Sequence, residues 1–288
     1  MKALIFGANG QDGYYLTQLL KQNNCEVVGV SRHGNFIHAD VGDYNAVKRL
    51  ISEHIPDFIF HLAAASATRH DVVFENHNSI VTGSLNILEA VFSSSLSCKI
   101  FLSGSGLQFK NEGKPIKESD PFYTSSAYAM SRIQSVYAAR YYRTLGLKAY
   151  VGYFFNHDSP KRLENHMTKK IAEAAKRIGQ GSGEILEVGN MDVIKEYGYA
   201  PDIVEGIWTL MNQEEIWEAN ISTGKGYSIK EWAKECFILV NKNWENHVVL
   251  KKGFVAEYQQ LVSDPSLIFS LGWQPKTSFQ ELAKIMMK

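Results

Sequence analysis

Hydrophobic and polar positions follow two alternating periods over the first half of the chain. Apolar residues recur at helical spacing over residues 15–22, 45–54, 79–93 and 127–145. Before and between these segments stand short runs rich in β-branched and aromatic residues, typical of strands: KALIFGA, EVVGVS, FIFHLAA, KIFLSGS and KAYVGYFFN. Because strands that alternate with helices build a parallel sheet covered on both faces, the pattern predicts an α/β protein with a Rossmann-type, doubly wound parallel sheet. Ligands bind such sheets at the carboxyl ends of the strands.

The pattern changes after Asn156. The remaining chain is mainly helical, with short strands and no second alternating set; its helical segments are MTKKIAEAAKRI, PDIVEGIWTLMNQ, SIKEWAKECFILVN and SFQELAKIMMK. We therefore expect a nucleotide-binding domain over residues 1–156 and a smaller, mainly helical substrate-binding lobe over residues 157–288, with a cleft between them. The boundary is approximate, since strands and helices of one part can cross into the other.

Composition narrows the class of protein. Thirty basic and thirty acidic residues cancel, so no net charge attracts nucleic acid or an anionic membrane. No apolar run reaches the roughly 18 residues of a membrane span, and the N-terminus enters a strand-like KALIF instead of a cleavable signal. We expect a cytoplasmic protein without nucleic-acid or membrane partners. Cys25, Cys98 and Cys236 lie far apart without metal-binding spacing, which predicts buried free thiols and no metal site.

The segment GANGQDG places Gly7, Gly10 and Gly13 between the first strand and the first helix. Here the first glycine permits a tight turn, the second lets a pyrophosphate approach the backbone, and the third lets helix and strand pack closely. The helix N-terminus adds amide donors and a partial positive charge. Glycine turns also occur for structural reasons alone, but this position favours a dinucleotide cofactor. The cofactor-binding residues predicted in this loop are Gly7, Asn9, Gly10, Gln11, Asp12 and Gly13.

The end of the second strand indicates which cofactor binds. An acidic residue there accepts a hydrogen bond from the ribose 2′-hydroxyl of NAD, whereas this chain has Arg32, which can pair with a 2′-phosphate. NADP is therefore favoured over NAD; the alternative is that Arg32 is a solvated loop arginine. The other cofactor contacts expected beyond this strand are Asp40 and Val41 beside the adenine, and Leu62, Ala63 and Ala64 of HLAA against the phosphates and ribose.

Several segments along the chain resemble the extended short-chain dehydrogenase/reductase family, and within it the GDP-mannose 4,6-dehydratase branch. They are GANGQDGYYL, PDFIFHLAAASA, SLNILEAV, PFYTSSAYAMSR, GYFFNHDSPKRLENHMTKKI, VGNMDVIKEYGYAPDIVEGIW, NISTGKGYSIKEW and SDPSLIFSLGWQPKTSFQEL. The resemblance covers nearly the whole chain, and FNHDSP and GNMD are quite specific to that branch. It implies a nucleoside-diphosphate sugar as ligand, GDP-linked by preference, with the nucleotide held by the C-terminal lobe.

The resemblance also implies a catalytic centre at YAMSR. In the family, a tyrosine and a lysine four residues later share one helix face, so the ammonium stabilises the phenolate and binds the nicotinamide ribose. A serine or threonine at the end of the preceding strand hydrogen-bonds the sugar oxygen, and hydride passes between the sugar C4 and the nicotinamide. The tyrosine maps onto Tyr128 and the hydroxyl onto Ser105. Arg132 replaces the lysine, so Tyr128 and Arg132 are expected to act in catalysis and to contact the cofactor. An arginine keeps the charge but is longer, planar and always protonated.

A second departure concerns the base that the dehydratases use to remove the sugar C5 proton. That glutamate lies two residues after the hydroxyl, where this chain has Leu107; shifting the register by one residue puts Gly104 and Gly106 at the two positions. Neither register supplies a carboxylate, so the family's dehydration has no evident base. The leading hypothesis is an NADP-dependent 4-ketosugar reductase. The alternatives are a dehydratase or epimerase with a non-standard base, and a non-catalytic homologue that binds cofactor or nucleotide sugar.

The second half of the chain supplies the expected substrate contacts. By resemblance, Asn156 hydrogen-bonds the diphosphate or sugar, and Lys195 stands where the family has an arginine for the pyrophosphate. Lys169 belongs to a basic stretch nearby and is assigned to the same site. A second family arginine is replaced by Phe254, which weakens the case for GDP.

A shortened segment after the second strand bears on assembly. The dehydratases resembled here carry a longer segment that builds a tetramer, whereas SRHGNFIHADVGD passes almost directly into the next element. We therefore expect a homodimer, made by the helices that begin near Ser79 and Ala127.

Overall fold

The computed structural model describes residues 1–65 and 67–288, and all statements below refer to these residues. The strands are β1 (Lys2–Phe6), β2 (Glu26–Ser31), β3 (Ile37–His38), β4 (Phe58–His61), β5 (Lys99–Ser105), β6 (Lys148–Phe154), β7 (His157–Asp158), β8 (Leu186–Val188), β9 (Ile194–Glu196), β10 (Gly198–Tyr199), β11 (Glu218–Ile221), β12 (Gly226–Ser228), β13 (Val248–Leu250) and β14 (Gln260–Leu261). The helices are α1 (Gln11–Gln22), α2 (Tyr44–His54), α3 (Val73–Asn76), α4 (Gly83–Ser93), α5 (Ala127–Thr144), α6 (Met167–Gly179), α7 (Ala200–Met211), α8 (Ile229–Ile238), α9 (Ser266–Ser270) and α10 (Phe279–Met286).

Two helices begin earlier than the sequence pattern predicts. Helix α1 begins at Gln11 instead of residue 15, because Gly10 at its N-cap lets the glycine loop pass directly into the helix. Helices α3 and α4 are joined by a π-helical segment, His77–Thr82, into one continuous helix over residues 73–93. Short 3₁₀ turns occur at His70–Val72, Gly106–Gln108 and Trp244–Asn246.

Seven strands form one parallel sheet in the order β11-β6-β5-β4-β1-β2-β3. This arrangement confirms the predicted Rossmann-type fold. Strand β1 lies between β2 and β4. The strands that follow β1 are therefore added first on one side of it and then on the other, so the strand order reverses at β1. The crevice outside the carboxyl ends of β1 and β4 is therefore the switch point at which ligands bind folds of this type.

Helices cover the sheet on both faces and bury its strands. On one face, α2, α4 and α5 pack on residues such as Leu4, Ile59 and Leu102. On the other face, α1 and α7 pack on residues such as Ile5, Phe60 and Phe101. A third core surrounds Trp232 and belongs to α6, α8 and α10, which form the body of the C-terminal lobe. None of the described helices is both long and apolar enough to cross a membrane.

The expected domain boundary near residue 156 is not a clean division, because a later segment of the chain returns to the large sheet. Strand β11 pairs with β6 at the edge of the large sheet, and α7 packs beside α1 against its face. Residues 200–221 thus belong to the domain of the large sheet, and the C-terminal lobe consists of the segments around them. Cys25, Cys98 and Cys236 are buried free thiols, as predicted.

One buried carboxylate connects three segments of the C-terminal lobe by hydrogen bonds. Glu196, at the end of β9, accepts hydrogen bonds from the backbone amide and the hydroxyl of Ser263, at 2.7 and 2.6 Å. It also accepts from the amide and hydroxyl of Thr223 and from the amide of Gly224. Burial raises the pKa of Glu196 although these donors favour the charged form. The contacts fix strand β9 and, with it, the neighbouring Lys195.

Candidate active site

The three glycines of the first loop play distinguishable parts. Gly7 has φ of +92°, and a Cβ there would lie 2.6 Å from the backbone nitrogen of Ala63. A Cβ at Gly13 would lie 2.4 Å from the carbonyl oxygen of Gly7. At Gly10, the N-cap of α1, the nearest atom to such a Cβ is 3.3 Å away, and no side chain caps the helix. Gly7 and Gly13 are therefore required by packing, whereas Gly10 leaves the first amides of α1 accessible to a ligand.

An ion pair connects this loop to the C-terminal half of the chain. The carboxylate of Asp12 lies 2.9 Å from Nε2 of His157, whose Nδ1 lies 2.8 Å from the carbonyl oxygen of Phe155. Burial works to raise the pKa of Asp12, but the attraction and hydrogen bond of His157 outweigh it and bring it to about 2. Burial works to lower the pKa of His157, but Asp12 outweighs it and raises the pKa above 6.5. The imidazolium thus neutralises a carboxylate beside the predicted phosphate site.

This pair predicts a pH dependence of stability. The contribution of Asp12 is present above its ordinary value of 3.8 and is lost as pH falls through about 2. The contribution of His157 is complete below 6.5 and is lost as pH rises through its raised pKa. His157→Gln should therefore destabilise the protein most in the window between these limits, by about 3 kcal/mol as for other broken buried pairs. Thermal unfolding of both proteins across this pH range measures the difference.

His166→Gln is the matched control for this measurement. Burial and the nearby Arg162 lower the pKa of His166 to about 4, so this histidine is neutral where His157 titrates. The control should unfold with the same pH dependence as the wild type above pH 6.5. A wild type and a His157→Gln variant that lose stability in parallel over that range would show that His157 is not charged in the folded protein.

A cavity of about 310 Å³ lies at the switch point, between the glycine loop and the ends of β5 and β6. Eleven of the predicted site residues line it: Gly7, Gly10, Gln11, Asp12, Gly13, Leu62, Ala64, Ser105, Tyr128, Arg132 and Asn156. The predicted residues outside its lining are Asn9, Arg32, Asp40, Val41, Ala63, Lys169 and Lys195. The cavity therefore brings together the residues predicted for the phosphates and for the chemistry.

Tyr128 and Arg132 lie on the first turns of α5, which is capped by the hydroxyl of Ser126. The guanidinium carbon of Arg132 lies 5.1 Å from the centroid of the Tyr128 ring, and the side chain is only 5% exposed. Its Nη1 donates to the carbonyl oxygen of Ser103 and, at 2.8 Å, to the Ser103 hydroxyl. Burial, and secondly the charge of Arg132, lower the pKa of His61 to about 3. Arg132 is thus the positive group next to Tyr128.

Ser105 ends β5 within this cavity. Its hydroxyl accepts a hydrogen bond of 3.2 Å from the amide of Leu107, and its own amide donates to the Gln108 side chain at 2.9 Å. No described group takes the hydrogen of the Ser105 hydroxyl, which leaves it able to donate. In the alternative register, the hydroxyl and the base would belong to positions 104 and 106, which are both glycine. Aromatic rings occupy the space beside them: a Cβ at Gly104 would lie 2.6 Å from the Tyr153 ring, and one at Gly106 would lie 2.6 Å from the Phe155 ring.

Acidic groups are scarce along this cavity. Asp12 is the one carboxylate among the described residues that line it, and Asp12 is paired with His157. Leu107 is also part of the lining and offers no proton acceptor. The arrangement therefore provides a phenol, a hydroxyl and a guanidinium, without a free base at the position that the dehydratases use.

The substrate side of the cavity carries buried positive charge. Asn156 has a buried Oδ1 without a partner among the described residues. Arg162, which sequence reasoning did not select, lines the cavity 3.3 Å from the carboxylate of Asp158. Lys195 is buried nearby with its ammonium 5.2 Å from the centroid of the Tyr197 ring, and burial lowers its pKa. Lys169 instead pairs with Glu173 on its own helix at 2.7 Å.

The predicted adenosine contacts lie at the other end of the sheet. Arg32 is half-exposed and faces Glu75 on α3, with 3.4 Å between Nη2 and the carboxylate. Asp40 accepts a hydrogen bond of 2.8 Å from the amide of Gly42, and Val41 is buried. The Arg32–Glu75 pair is a surface ion pair, which contributes little by itself and is readily exchanged for a ligand.

A second cavity of about 660 Å³ adjoins the first and was not anticipated from the sequence. The two share Thr68, Leu107 and Leu261 as lining residues. Glu257 accepts a hydrogen bond from the hydroxyl of Thr68, from which it is 189 residues distant in the chain. The separation explains why no local pattern indicates this contact. Phe254, the residue in place of a family arginine, packs on Gly189 outside both cavities.

A parallel sheet with its glycine loop after β1 and its tyrosine at the start of α5 defines the class as the short-chain dehydrogenases/reductases of the epimerase/dehydratase type. UDP-glucose 4-epimerase of Thermotoga maritima, solved with UDP-glucose, superposes with a TM-score of 0.88 at 22% identity, over 100% of this chain and 97% of the epimerase. RMD of Pseudomonas aeruginosa, solved with NADPH, gives 0.87 at 20% identity, over 99% and 97%. At these identities the likeness shows the fold.

The sequence identifies the family within this class. Residues 31–286 match the model of the GDP-mannose 4,6 dehydratase family. GDP-mannose 4,6 dehydratase 1 of Arabidopsis thaliana is 32% identical over 99% of this chain and 88% of its own. GDP-mannose 4,6-dehydratase of Vibrio cholerae is 30% identical over 99% and 92%. The chain therefore belongs to the GDP-mannose 4,6 dehydratase family of nucleotide-sugar-modifying enzymes, which confirms the resemblance of its motifs.

Proposed function

We propose that this protein is an NADP-dependent oxidoreductase that acts at C4 of a nucleoside-diphosphate sugar, as a 4-ketosugar reductase. The observation that carries the proposal is the composition of the first cavity. It combines Tyr128, Ser105 and the cation of Arg132, while the described residues at the dehydration-base position supply no carboxylate. These groups serve reduction of a ketone, whereas removal of a C5 proton needs a base.

The residues around the glycine loop fit a dinucleotide cofactor. The uncapped N-terminus of α1 and the accessible backbone at Gly10 suit a pyrophosphate, and His157 neutralises the Asp12 carboxylate that would otherwise repel it. NADP is favoured over NAD because Arg32 can exchange Glu75 for a 2′-phosphate. When bound, this cofactor supplies the hydride that is transferred to the sugar C4.

The chain's own groups control the proton and the oxygen in this proposal. Ser105 hydrogen-bonds the ketone oxygen and holds it beside the phenol. Tyr128 would donate its proton to that oxygen, so that reduction of the ketone would give an alcohol. Arg132 stabilises the phenolate that remains until a proton from solvent replaces the one transferred. The proposal needs no further acid or base.

The substrate in this proposal is held through its diphosphate and sugar. Asn156 has a buried Oδ1 without a partner among the described residues, which can accept a hydrogen bond from a sugar hydroxyl. Lys195 and Arg162 offer positive charge for the diphosphate. Lys169 can contribute by exchanging Glu173 for a phosphate oxygen. A GDP-linked sugar is favoured because the chain is similar to relatives named for GDP-mannose.

We also propose a cytoplasmic homodimer. Helices α4 and α5 present exposed apolar side chains at Leu85, Phe92, Tyr137 and Tyr141, which a second copy would bury. The three reduced, buried cysteines suit a reducing compartment. Sedimentation at increasing protein concentration measures the dimer, and Tyr141→Lys should weaken it.

The test of the proposed activity is the consumption of NADPH with a panel of nucleoside-diphosphate 4-ketosugars. We expect absorbance of NADPH to fall with at least one GDP-linked 4-ketosugar, faster than with NADH, and a reduced sugar to appear by mass spectrometry. If no member of the panel consumes NADPH, the reductase proposal is wrong. Tight NADPH binding without turnover would then identify a non-catalytic homologue.

A dehydratase or epimerase with a non-standard base is the second candidate. It is favoured by Glu257, a carboxylate that lines the second cavity together with Leu107, the residue at the expected base position. Conversion of a nucleotide sugar without net consumption of cofactor would support this candidate over the reductase. Glu257→Gln should then abolish the conversion.

Restoring lysine at position 132 should not create a 4,6-dehydratase. Arg132→Lys returns the family's ammonium, but Gly104, Gly106 and Leu107 still lack a carboxylate. Incubation of the variant with GDP-mannose and NADP should give no product with the mass loss of one water. The dehydratase of Vibrio cholerae, assayed beside it, is the positive control. A variant that dehydrates GDP-mannose at the rate of that control would overturn the assignment.

A further inference from the structure

Arg132 is anchored at its far end, not at Tyr128. Its Nη1 donates to both oxygens of Ser103, the backbone carbonyl and the hydroxyl, 29 residues away in the chain. The guanidinium lies beside the Tyr128 ring without a hydrogen bond to a described atom of Tyr128, and its Nε has no partner among the described residues. The orientation of the cation relative to the phenol therefore depends on what Ser103 provides.

The hydroxyl of Ser103 is itself fixed. It donates to the carbonyl oxygen of His61 on the neighbouring strand β4, at 3.1 Å, and the residue is 4% exposed. Since a hydroxyl has one hydrogen, this bond turns its lone pairs away from β4 and makes one available to Arg132. Neither ring nitrogen of His61 has a hydrogen-bond partner among the described residues, so the guanidinium is bound by Ser103 and not by this histidine. Ser103 thus presents two fixed acceptors to one planar donor group.

Two acceptors matter because the cation is an arginine. Both acceptors contact one nitrogen, Nη1, whose N–H groups lie in the plane of the guanidinium, so the pair of acceptors fixes that plane as well as its position. An ammonium on a flexible stem needs no such pair and takes its direction from whichever acceptors are nearest. Ser103 is accordingly suited to an arginine at position 132 and dispensable for a lysine.

We infer that Ser103 is the positioning residue of the Tyr128–Arg132 pair, holding the guanidinium where it can stabilise the phenolate and contact the cofactor. The inference rests on the proposed redox function of that pair. It adds a residue that the motif did not assign to catalysis. Ser103 also lines the first cavity, and the inference is that it acts through Arg132.

The test is a double-mutant cycle with Ser103→Ala and Arg132→Lys, made singly and together. With NADPH and a GDP-linked 4-ketosugar, Ser103→Ala should lower kcat about tenfold, the effect of losing one hydrogen bond to a charged group, and change KM little. In the Arg132→Lys background the same substitution should change kcat less than about twofold. Ser103→Thr, which keeps the hydroxyl, should retain most of the activity. Equal losses in both backgrounds, or no rescue by threonine, would refute the inference.

Two further readouts separate this inference from the proposed activity. If the wild type binds NADPH but reduces no sugar, the same four proteins are compared by fluorescence titration with NADPH. Ser103→Ala should then weaken NADPH binding several-fold only where Arg132 is present. If NADPH does not bind either, a crystal structure of ligand-free Ser103→Ala decides. The guanidinium should then have turned away from the Tyr128 ring; an unchanged guanidinium would show that Ser103 does not position it.

Discussion

Tyr128→Phe should reduce NADPH-dependent ketosugar reduction by at least about 100-fold, the usual effect of removing a positioned proton donor. The phenol is the one group in the first cavity that the proposed mechanism uses to deliver a proton to the ketone oxygen. The aromatic ring should remain beside Arg132, because phenylalanine keeps the ring whose centroid lies 5.1 Å from the guanidinium carbon. We therefore expect kcat to fall while NADPH affinity stays close to that of the wild type.

Tyr141→Phe is the control on the same helix. Tyr141 is 60% exposed on α5 and does not line the cavity, so the loss of its hydroxyl should leave kcat unchanged. The assay follows initial rates of NADPH consumption with the sugar identified by the panel. A Tyr128→Phe variant with more than half of the wild-type rate would remove Tyr128 from the mechanism.

Gly13→Ala should destabilise the fold strongly. A Cβ at this position would lie 2.4 Å from the carbonyl oxygen of Gly7 and 2.7 Å from Cα of Ala8. Both are backbone atoms, so helix α1 must move away from the loop, and overpacking of this kind costs about 1–3 kcal/mol or more. Thermal unfolding should show a lower melting temperature, and NADPH binding should be lost along with the loop's geometry.

Gly10→Ala tests whether this glycine is required for cofactor binding more than for stability of the fold. Its Cβ would lie 3.3 Å from the carbonyl oxygen of Gly7, a milder contact than the one at Gly13, so the melting temperature should fall less than in Gly13→Ala. NADPH binding should nevertheless weaken markedly, because the methyl group would occupy the space proposed for the pyrophosphate. Gly183→Ala, with no atom within 4 Å, is the control for both measurements. Unchanged NADPH binding in Gly10→Ala would place the cofactor elsewhere.

Local periodicity was sufficient to predict the architecture. Five of the seven strands of the central sheet are runs such as KALIF or FIFH, and parallel pairing follows where a helix joins one strand to the next. The period does not show the two edge strands. Strand β3 is two residues long and follows β2 without a helix between them. Strand β11 returns to the sheet beside β6 from the second half of the chain, with Ala219 and Ile221 packed in the same core as α7.

The candidate site was partly predictable for a similar reason. The glycine loop and the Tyr128–Arg132 spacing are local, and the cavity brings them together with Ser105 and Asn156. The residues that neutralise Asp12 and orient Arg132 are distant from them in the chain, so no local sequence pattern indicates these contacts. Asp12 meets His157 across 145 positions, and Arg132 meets Ser103 across 29.

The aromatic rings beside the two glycines of β5 and its following turn bear on how this chain can change in evolution. Phe155 fills the place that a side chain at position 106 would occupy. In the alternative register, in which position 106 is that of the base, a glutamate introduced there would enter occupied space and cost packing energy. The same holds at Gly104, where the ring of Tyr153 lies 2.6 Å from the position of a Cβ. A carboxylate at either position would therefore need a second substitution that makes room for it, so a single change in this turn cannot supply a base without disturbing the packing.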